Sequence, residues 1–210
     1  PVAGDWNVDI SRFLSAASGA LRDGGALYLF SRWDVLPKWT IHVMHPLRIK
    51  TCIVWMKDNW TAGDLAGSFG NQWEALLFIA KGRHKLRDKR WSNVWPFPRV
   101  PASRLLVPTE KPVPLLERAI AASSDLDDLV VDPFCGSGAT GEAARSLGRD
   151  FLVGDIDPKM VSIARRRLGI ADDTQSETSP LAVPPSTEAQ FSSCPSCGGH
   201  GLVSNGEGEE

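Results

Sequence analysis

The 210 residues contain no apolar run of the length a membrane-spanning helix needs, and the amino-terminal stretch lacks the charged-then-apolar order of a secretory signal. These two absences argue against a membrane or export role, and the expectation is a cytoplasmic protein with no membrane partner. Cysteine is scarce. Of four, Cys52 and Cys135 lie in apolar segments and are expected to be reduced and buried, and only Cys194 and Cys197 are spaced as a pair. Basic residues are absent from 171–210, where seven acids stand alone. The net charge of -2 therefore conceals a basic body, because 18 acids face 23 bases over 1–170, a surplus of five positive charges. That sign is compatible with a nucleic-acid partner without requiring one.

What is present, at 42% hydrophobic content, is enough for one ordinary domain with a sizeable core. The stretch Val130-Val-Asp-Pro-Phe-Cys-Gly-Ser-Gly-Ala-Thr140 organises the rest. Leu129, Val130 and Val131 read as a short buried strand, Gly136 and Gly138 as a turn that side chains would obstruct, and 139–147 as a helix. Such a turn lets a ligand approach the backbone, and the helix beyond it offers free N–H groups. A second strand, Phe151-Leu-Val-Gly154, ends in Asp155, at a suitable distance for a carboxylate that grips ribose hydroxyls, with Asp157 as its competitor. The string Gly136-Ser-Gly-Ala-Thr-Gly141 also fits the dinucleotide fingerprint, by itself a weak signal for an NAD-dependent enzyme. Asp132 and Pro133 argue against NAD, since an acid at the strand's end repels a pyrophosphate and suits a cationic amino group. A nucleoside carrying an amino acid is the better match.

Asp132-Pro-Phe-Cys-Gly-Ser-Gly-Ala-Thr140 resembles the S-adenosylmethionine-binding motif of the DNA methyltransferases that modify exocyclic amines, the adenine-N6 and cytosine-N4 enzymes. Pro108-Thr-Glu-Lys-Pro-Val-Pro-Leu-Leu-Glu-Arg118 resembles the helix that precedes this motif in their permuted, β-type arrangement. Gly154-Asp-Ile-Asp-Pro158 resembles their second-strand acid motif, and Ala164-Arg-Arg-Arg-Leu168 the helix that usually ends the domain. The resemblance covers residues 16–168. It implies an α/β fold with a Rossmann-like methyltransferase sheet, permuted and lacking amino-terminal strands. Residues 1–170 would form the methyltransferase domain, with 81–107 as its DNA-contacting segment and 108–168 as its cofactor-binding half. S-adenosylmethionine is the implied cofactor. Asp132 would face its amino group, Phe134 and the backbone at Gly136 and Gly138 would line it, Asp155 would take the ribose, and Thr109 and Lys111 would sit near its carboxylate. Core packing for Phe134 and a solvated surface charge for Lys111 are the plain alternatives.

Residues 10–21 read as an amphipathic helix capped by Asp9 or Asn7, followed by the turn Arg22-Asp-Gly-Gly25 and a buried strand, Ala26-Leu-Tyr-Leu-Phe30. The resemblance places Ser31, Arg32, Trp33 and Asp34 near the substrate pocket, although Trp33 suits simple packing equally well. Segments 51–57 and 75–80 read as strands, and Trp55, Lys57 and Glu74 match the family's hairpin. The glycine-punctuated loop 58–70 either borders the target base or merely connects. Lys81, Arg83, Lys85, Arg87, Lys89 and Arg90, close to Trp91, Trp95 and Phe97, are the DNA-binding candidates: phosphates need cations, and exposed bases offer faces for stacking. Asn93-Val-Trp-Pro-Phe-Pro-Arg99 leads toward the cofactor helix in some members, and prolines 96, 98 and 101 predict an extended crossover without regular structure. A helix over 113–123 follows.

The family's Asp-Pro-Pro-Tyr or Ser-Pro-Pro-Tyr catalytic motif is missing, since Pro184-Pro185 is followed by Ser186. The expectation is that it lies upstream of Pro1, that its strands leave a gap in the sheet, and that the chain as given is poorly folded or inactive. A catalytically inactive, DNA-binding fragment is thus the alternative function. Cytosine-C5 chemistry needs a thiolate, usually from a Pro-Cys dipeptide, and none occurs. Double-stranded DNA is the implied partner, with a homodimer and a cognate restriction endonuclease left open. Residues 171–210 read as an acidic, disordered tail. Within it Cys194-Pro-Ser-Cys197-Gly-Gly-His200 is a zinc half-site short of the four ligands that zinc prefers, so no metal is expected.

Overall fold

The structure, a computed structural model, describes residues 9–60, 66–87 and 90–171. Asn7, Lys89, the acidic tail and the Cys194–Cys197 half-site lie outside these described residues. Helix α1 (Ile10–Ala20) begins where expected, because the Asp9 carboxylate accepts the Arg12 N–H at 3.1 Å. Its Ile10 and Leu14 are buried against Leu77 and Ile79.

Strands β1 (Ala26–Ser31), β2 (Leu47–Met56), β3 (Trp73–Lys81) and β4 (Val94–Pro96) form one sheet in the order β1-β3-β2-β4, with helix α2 (Leu36–Thr40) between β1 and β2. β3 runs antiparallel to both of its neighbours, and β4 lies parallel to β2. The central position of β3 explains its unbroken apolar run, since Ala75 to Ala80 are buried on both faces. One face takes α1. The other packs Ile53, Trp55, Leu76, Phe78 and Trp95 against Leu115 and Ala119 of helix α3 (Val113–Ser123).

Two differences from the sequence reading have physical causes. β2 starts at Leu47 rather than near residue 51, because Arg48 and Lys50 sit on exposed positions of a real strand and hide its pattern. The proline-rich segment does contain regular structure: Pro96 pairs with Met56 in β4, and residues 102–104 form a single 3-10 turn. β4 is an edge strand, where a missing N–H is tolerated, and the buried Trp95 anchors it.

Strands β5 (Leu129–Asp132) and β6 (Asp150–Val153) pair in parallel as a separate two-stranded sheet, with helices α4 (Ala139–Ser146) and α5 (Pro158–Arg167) following them. Val130 and Phe151 pack with Leu116, Ile120 and the alanines of α4, and Phe30 of β1 joins the same cluster. The opposite face stays open: Leu129, Val131 and Leu152 are exposed, so the expected burial of this strand holds for one face only. Among the described residues no strand joins β1 to β5.

Candidate active site

At the carboxyl end of β5 the chain enters the glycine turn through Asp132. One carboxylate oxygen accepts the Phe134 N–H at 3.0 Å, and the other accepts the Thr140 hydroxyl at 2.6 Å, which ties the strand end to the first turn of α4. Gly136 and Gly138 adopt φ of 50° and 81°, the left-handed region that favours glycine. Their surroundings differ. A Cβ on Gly136 would meet only Val107 Cγ2 at 3.9 Å, leaving the backbone open to a ligand, whereas one on Gly138 would lie 2.9 Å from the Ala164 Cβ. Gly138 is therefore required for close packing of α4 on α5, and Gly136 is the point of backbone access.

Asp155 follows β6 and faces the same turn, where its Oδ2 accepts the Gly136 N–H at 3.0 Å and its Oδ1 accepts the Asp157 N–H at 3.0 Å. Asp157 is occupied at the amino end of α5, with its side chain accepting the Lys159 N–H. Of the two acids, Asp155 is the one directed at the turn. Phe134 is largely exposed, 5.5 Å from the ring of Phe13 on α1, and Ile156 is 97% exposed. Two bare apolar side chains beside two carboxylates and an open backbone fit a nucleoside that bears an amino acid. Sequence reasoning missed Ile156, because an isoleucine between two aspartates reads as a strand remnant.

Cys135 is buried within this turn. Burial, then the nearby Asp132 and Asp155 charges, push its thiol up to about 11, so it is a poor thiolate and a poor nucleophile.

A second group lies at the ends of β2 and β3. Lys57 Nζ donates to Glu74 Oε1 at 2.6 Å, and Lys111 Nζ donates to Glu74 Oε2 at 2.8 Å. Lys57 stands 5.0 Å from the Trp55 ring centroid, and Lys111 stands 5.1 Å from that of Phe30. Burial pushes the Glu74 carboxyl up, but Lys111 and then Lys57 outweigh it and hold the group below its ordinary range. Lys111 is thus neither a loose surface charge nor isolated. Thr109, two residues before it, is exposed and lines the same small cavity. The loop carrying both is fixed by Glu110, whose carboxylate accepts Arg167 Nη1 at 2.6 Å and the Leu106 N–H at 2.9 Å. Arg167 also donates to Ser137 Oγ in the glycine turn at 3.0 Å, so loop, turn and α5 share one guanidinium. These links between residues far apart in sequence carry no local signal.

The basic segment divides. Lys81 donates to the Ser18 and Leu21 carbonyls at 2.8 and 2.7 Å, closing the end of α1, and Arg87 bonds Asp125 at 2.8 Å. Arg83, Lys85 and Arg90 are exposed and carry no side-chain partner among the described residues. Arg118 stacks on Trp91, Trp95 and Phe97 with its guanidinium carbon 5.1, 5.6 and 4.6 Å from the ring centroids, which explains part of the aromatic cluster as packing. Ser31 is buried, and Arg32 pairs with Asp34, leaving Trp33 59% exposed. Among the described residues no cluster suits a metal ion and no helix is long and apolar enough to cross a membrane.

A family model described as DNA methylase matches residues 4–166. The chain belongs to that family. It is 28% identical over 210 residues to the DNA adenine methyltransferase YhdJ of Escherichia coli (strain K12), covering 82% of this chain and 69% of that protein. It is 33% identical over 143 residues to the Type II methyltransferase M2.DpnII of Streptococcus pneumoniae, covering 60% of this chain and 53% of the relative. It thus spans about half the length of the Streptococcus protein. Among solved structures, a complex of M1.HpyAVI with SAM aligns with a TM-score of 0.66 at 21% identity, over 75% of this chain and 81% of that one. The cytosine-N4-specific PvuII DNA methyltransferase aligns at 0.65 and 16%, over 80% and 72%. The methylase is therefore an α/β protein with a Rossmann-like methyltransferase fold, and membership of the family displaces the NAD reading.

Proposed function

We propose that this methylase binds S-adenosylmethionine at the glycine turn and transfers its methyl group to the exocyclic amine of adenine (N6) or cytosine (N4) in DNA. The observation that carries the reading is that Asp132 and Asp155 flank an open Gly136 in a turn that Arg167 ties, through Ser137 and Glu110, to the loop carrying Thr109 and Lys111. A carboxylate has about four acceptor positions, so Asp132 and Asp155 keep capacity for an amino group and for ribose hydroxyls while they hold the turn. Phe134 and Ile156 supply apolar surface, and Thr109 and Lys111 supply a donor and a cation for the carboxylate end. The cofactor brings an activated methyl group that an amine can take in one displacement, which requires positioning and no enzyme nucleophile. The raised thiol of Cys135 agrees with that. Arg83, Lys85 and Arg90 supply the phosphate contacts within the basic segment. The Type II relatives suit a restriction–modification setting, with a cognate endonuclease reading the same site.

Calorimetry with S-adenosylmethionine and NAD, followed by methyl transfer to duplex DNA, tests the reading. Binding of the methyl donor that is lost in Asp132→Ala and Asp155→Ala is expected. Retention of full affinity by the double variant refutes the site. Binding without transfer would support the second reading, a DNA-binding unit without catalysis, which is favoured by the lack of any Pro-Pro-aromatic sequence among the 210 residues.

A further inference from the structure

The connection between β2 and β3 is fixed at its root and bare at its tip. Lys57 donates its N–H to the Gln72 carbonyl at 2.8 Å, and the Gln72 side chain donates to the Lys57 carbonyl at 2.9 Å, so the ladder of the two strands continues past the Met56–Trp73 pair. Glu74, beside that root, accepts Lys111 at 2.8 Å, which ties the connection to the loop with Thr109 and Lys111 at the donor's carboxylate end. Three residues before Gln72 stands Phe69, 98% exposed. Trp60, from the opposite limb of the connection, covers Gly70, where an added Cβ would come 2.5 Å from its Cδ1 and 2.7 Å from its Cγ. Trp60 therefore pins the two limbs together, and Phe69 projects beyond the pin.

A single exposed apolar side chain is common and needs no partner. Phe69 differs in being held by a pin at the rim of the site, and the chemistry of its connection points to one kind of partner. From 58 to 73 the connection carries two acids and no Lys or Arg, so it is not built to follow phosphates, whereas the body of the protein is basic. An uncharged, aromatic tip on such a body suits the base stack rather than the backbone. An exocyclic amine inside a duplex is out of reach of a methyl donor, so its base must leave the stack, and the space that opens is apolar and one ring thick. Glycines 67 and 70 and Ser68 put no bulk beside the phenyl ring that would keep it from a base step.

We infer that Phe69 enters the base stack of the bound duplex as an apolar wedge, at the step the target base leaves, and that Trp60 on Gly70 holds it in position. The inference rests on the DNA methylase reading and adds to it one residue that touches the bases and one that positions it. Apolar wedges of this kind unstack the step they enter, and they act without releasing counterions, so their signature is a local opening of the duplex with no change in salt dependence.

Duplexes carrying 2-aminopurine at successive positions, a base that brightens when unstacked, compare the wild type with Phe69→Ala, Phe69→Leu and Gly70→Ala at saturating protein. The wild type should brighten one step, Phe69→Leu should keep most of that signal, and Phe69→Ala should lose it. Gly70→Ala, which displaces Trp60, should lose it too. By fluorescence anisotropy Phe69→Ala is expected to bind about tenfold more weakly, the loss of one aromatic–base stack, with an unchanged salt slope. A mismatch at the reporting step, already loosely stacked, should restore the brightening to Phe69→Ala and bring its affinity within about threefold of the wild type's. Circular dichroism melts check that the variants fold, and calorimetry with S-adenosylmethionine should show unchanged donor affinity. Brightening that persists in Phe69→Ala while the wild type binds and methylates DNA overturns the wedge alone, and brightening that persists in Gly70→Ala overturns the role of Trp60. A reduced salt slope overturns the wedge by showing a phosphate contact, and lost donor affinity does so by assigning the tip to the donor. Dimers that dissociate in Phe69→Ala would assign it to a second copy of the chain and likewise overturn it. A wild type that binds no duplex DNA removes the methylase reading and the wedge together. If it binds and brightens the step but transfers no methyl, the catalytic reading fails and the wedge stands.

Discussion

Replacing Gly138 with alanine and, separately, Gly136 with alanine divides the glycine turn into its structural and its ligand-facing parts. Both residues have positive φ, and alanine in the left-handed region costs about 1–2 kcal/mol, offset in part by about 0.4–1 kcal/mol from a less flexible unfolded chain. At Gly136 little else is added, because the nearest atom to the new methyl is 3.9 Å away. At Gly138 the methyl would lie 2.9 Å from the Ala164 Cβ and 3.0 Å from its Cα, and the Cα is backbone that cannot swing aside. Overpacking of that kind costs about 1–3 kcal/mol, so Gly138→Ala should lose about 3 kcal/mol and Gly136→Ala about 1. At about 2–4 °C per kcal/mol for a domain of this size, the falls in melting temperature are about 6–12 °C and about 2–4 °C. Circular dichroism melts without ligand measure both. Calorimetry with S-adenosylmethionine should then show the reverse order, with at least a tenfold loss in Gly136→Ala and a smaller one in folded Gly138→Ala below its melting point. Equal melting temperatures for the two variants, or a Gly136→Ala that binds the donor normally, would refute the division.

Glu74→Ala removes the shared partner of Lys57 and Lys111. Breaking a buried ion pair costs about 3–5 kcal/mol, and Glu74 keeps 27% side-chain exposure, so about 2–3 kcal/mol is expected in urea unfolding. Because the Glu74 carboxyl is held low in the folded state, its contribution is complete above the unfolded value of about 4.3 and is lost as pH falls through the lower folded value; Glu74→Gln should flatten that part of the acid limb. Cys135 should alkylate slowly with iodoacetamide at pH 8 and about tenfold faster per pH unit until its thiol titrates near 11, and Cys135→Ser should keep methyl transfer; rapid labelling at pH 7 would contradict the buried environment. Ser123→Ala strands the Tyr28 hydroxyl and His84 Nε2, which lie 2.7 and 3.2 Å from Ser123 Oγ, and should cost about 1–3 kcal/mol, while Tyr28→Phe added to it should cost little more in the same urea titration.

The elements around the glycine turn were the most legible in the sequence. The helix over 113–123 has the predicted bounds, and β5, α4 and β6 fall within one residue of them, because each is short, periodic and bounded by glycine, acid or proline. β4 was not legible: three residues that include a proline become a strand only because Trp95 buries itself beside β2. α2 escaped for a similar reason, being a single turn of five residues around Pro37 whose Leu36 and Trp39 are fixed by tertiary packing. At the site, Asp132, Gly136 and Asp155 were readable because they follow strand ends. The Glu74–Lys111 bond joins residues 37 apart and left no signal in the sequence, where the resemblance placed Lys57 and Glu74 in a hairpin and Lys111 elsewhere. Composition of the basic segment overstated its availability, since Lys81 and Arg87 are spent on a helix end and on Asp125.

The two sheets share no strand, so the alignment of the glycine turn with the Lys57–Glu74 group depends on side chains rather than on a backbone ladder. Glu74–Lys111 crosses at the ligand edge, Tyr28–Ser123–His84 at the far end of α3, and Arg22–Asp128 at the approach to β5. α3 packs on both, with Leu115 and Ala119 against the larger sheet and Leu116 and Ile120 against α4 and β5, where Phe30 joins them. Exposed ion pairs contribute little, and Arg22 is 59% exposed, so most of the constraint falls on the half-buried Tyr28 and Glu74 bridges and on the buried faces of α3. Parallel strands are ordinarily covered on both faces, yet Leu129, Val131 and Leu152 meet solvent and β5 keeps an unpaired edge among the described residues. A hinge between the halves is thus resisted by the packing of α3 on both and by the Tyr28 and Glu74 bridges, and loosening either should shift the glycine turn against the Lys57–Glu74 group.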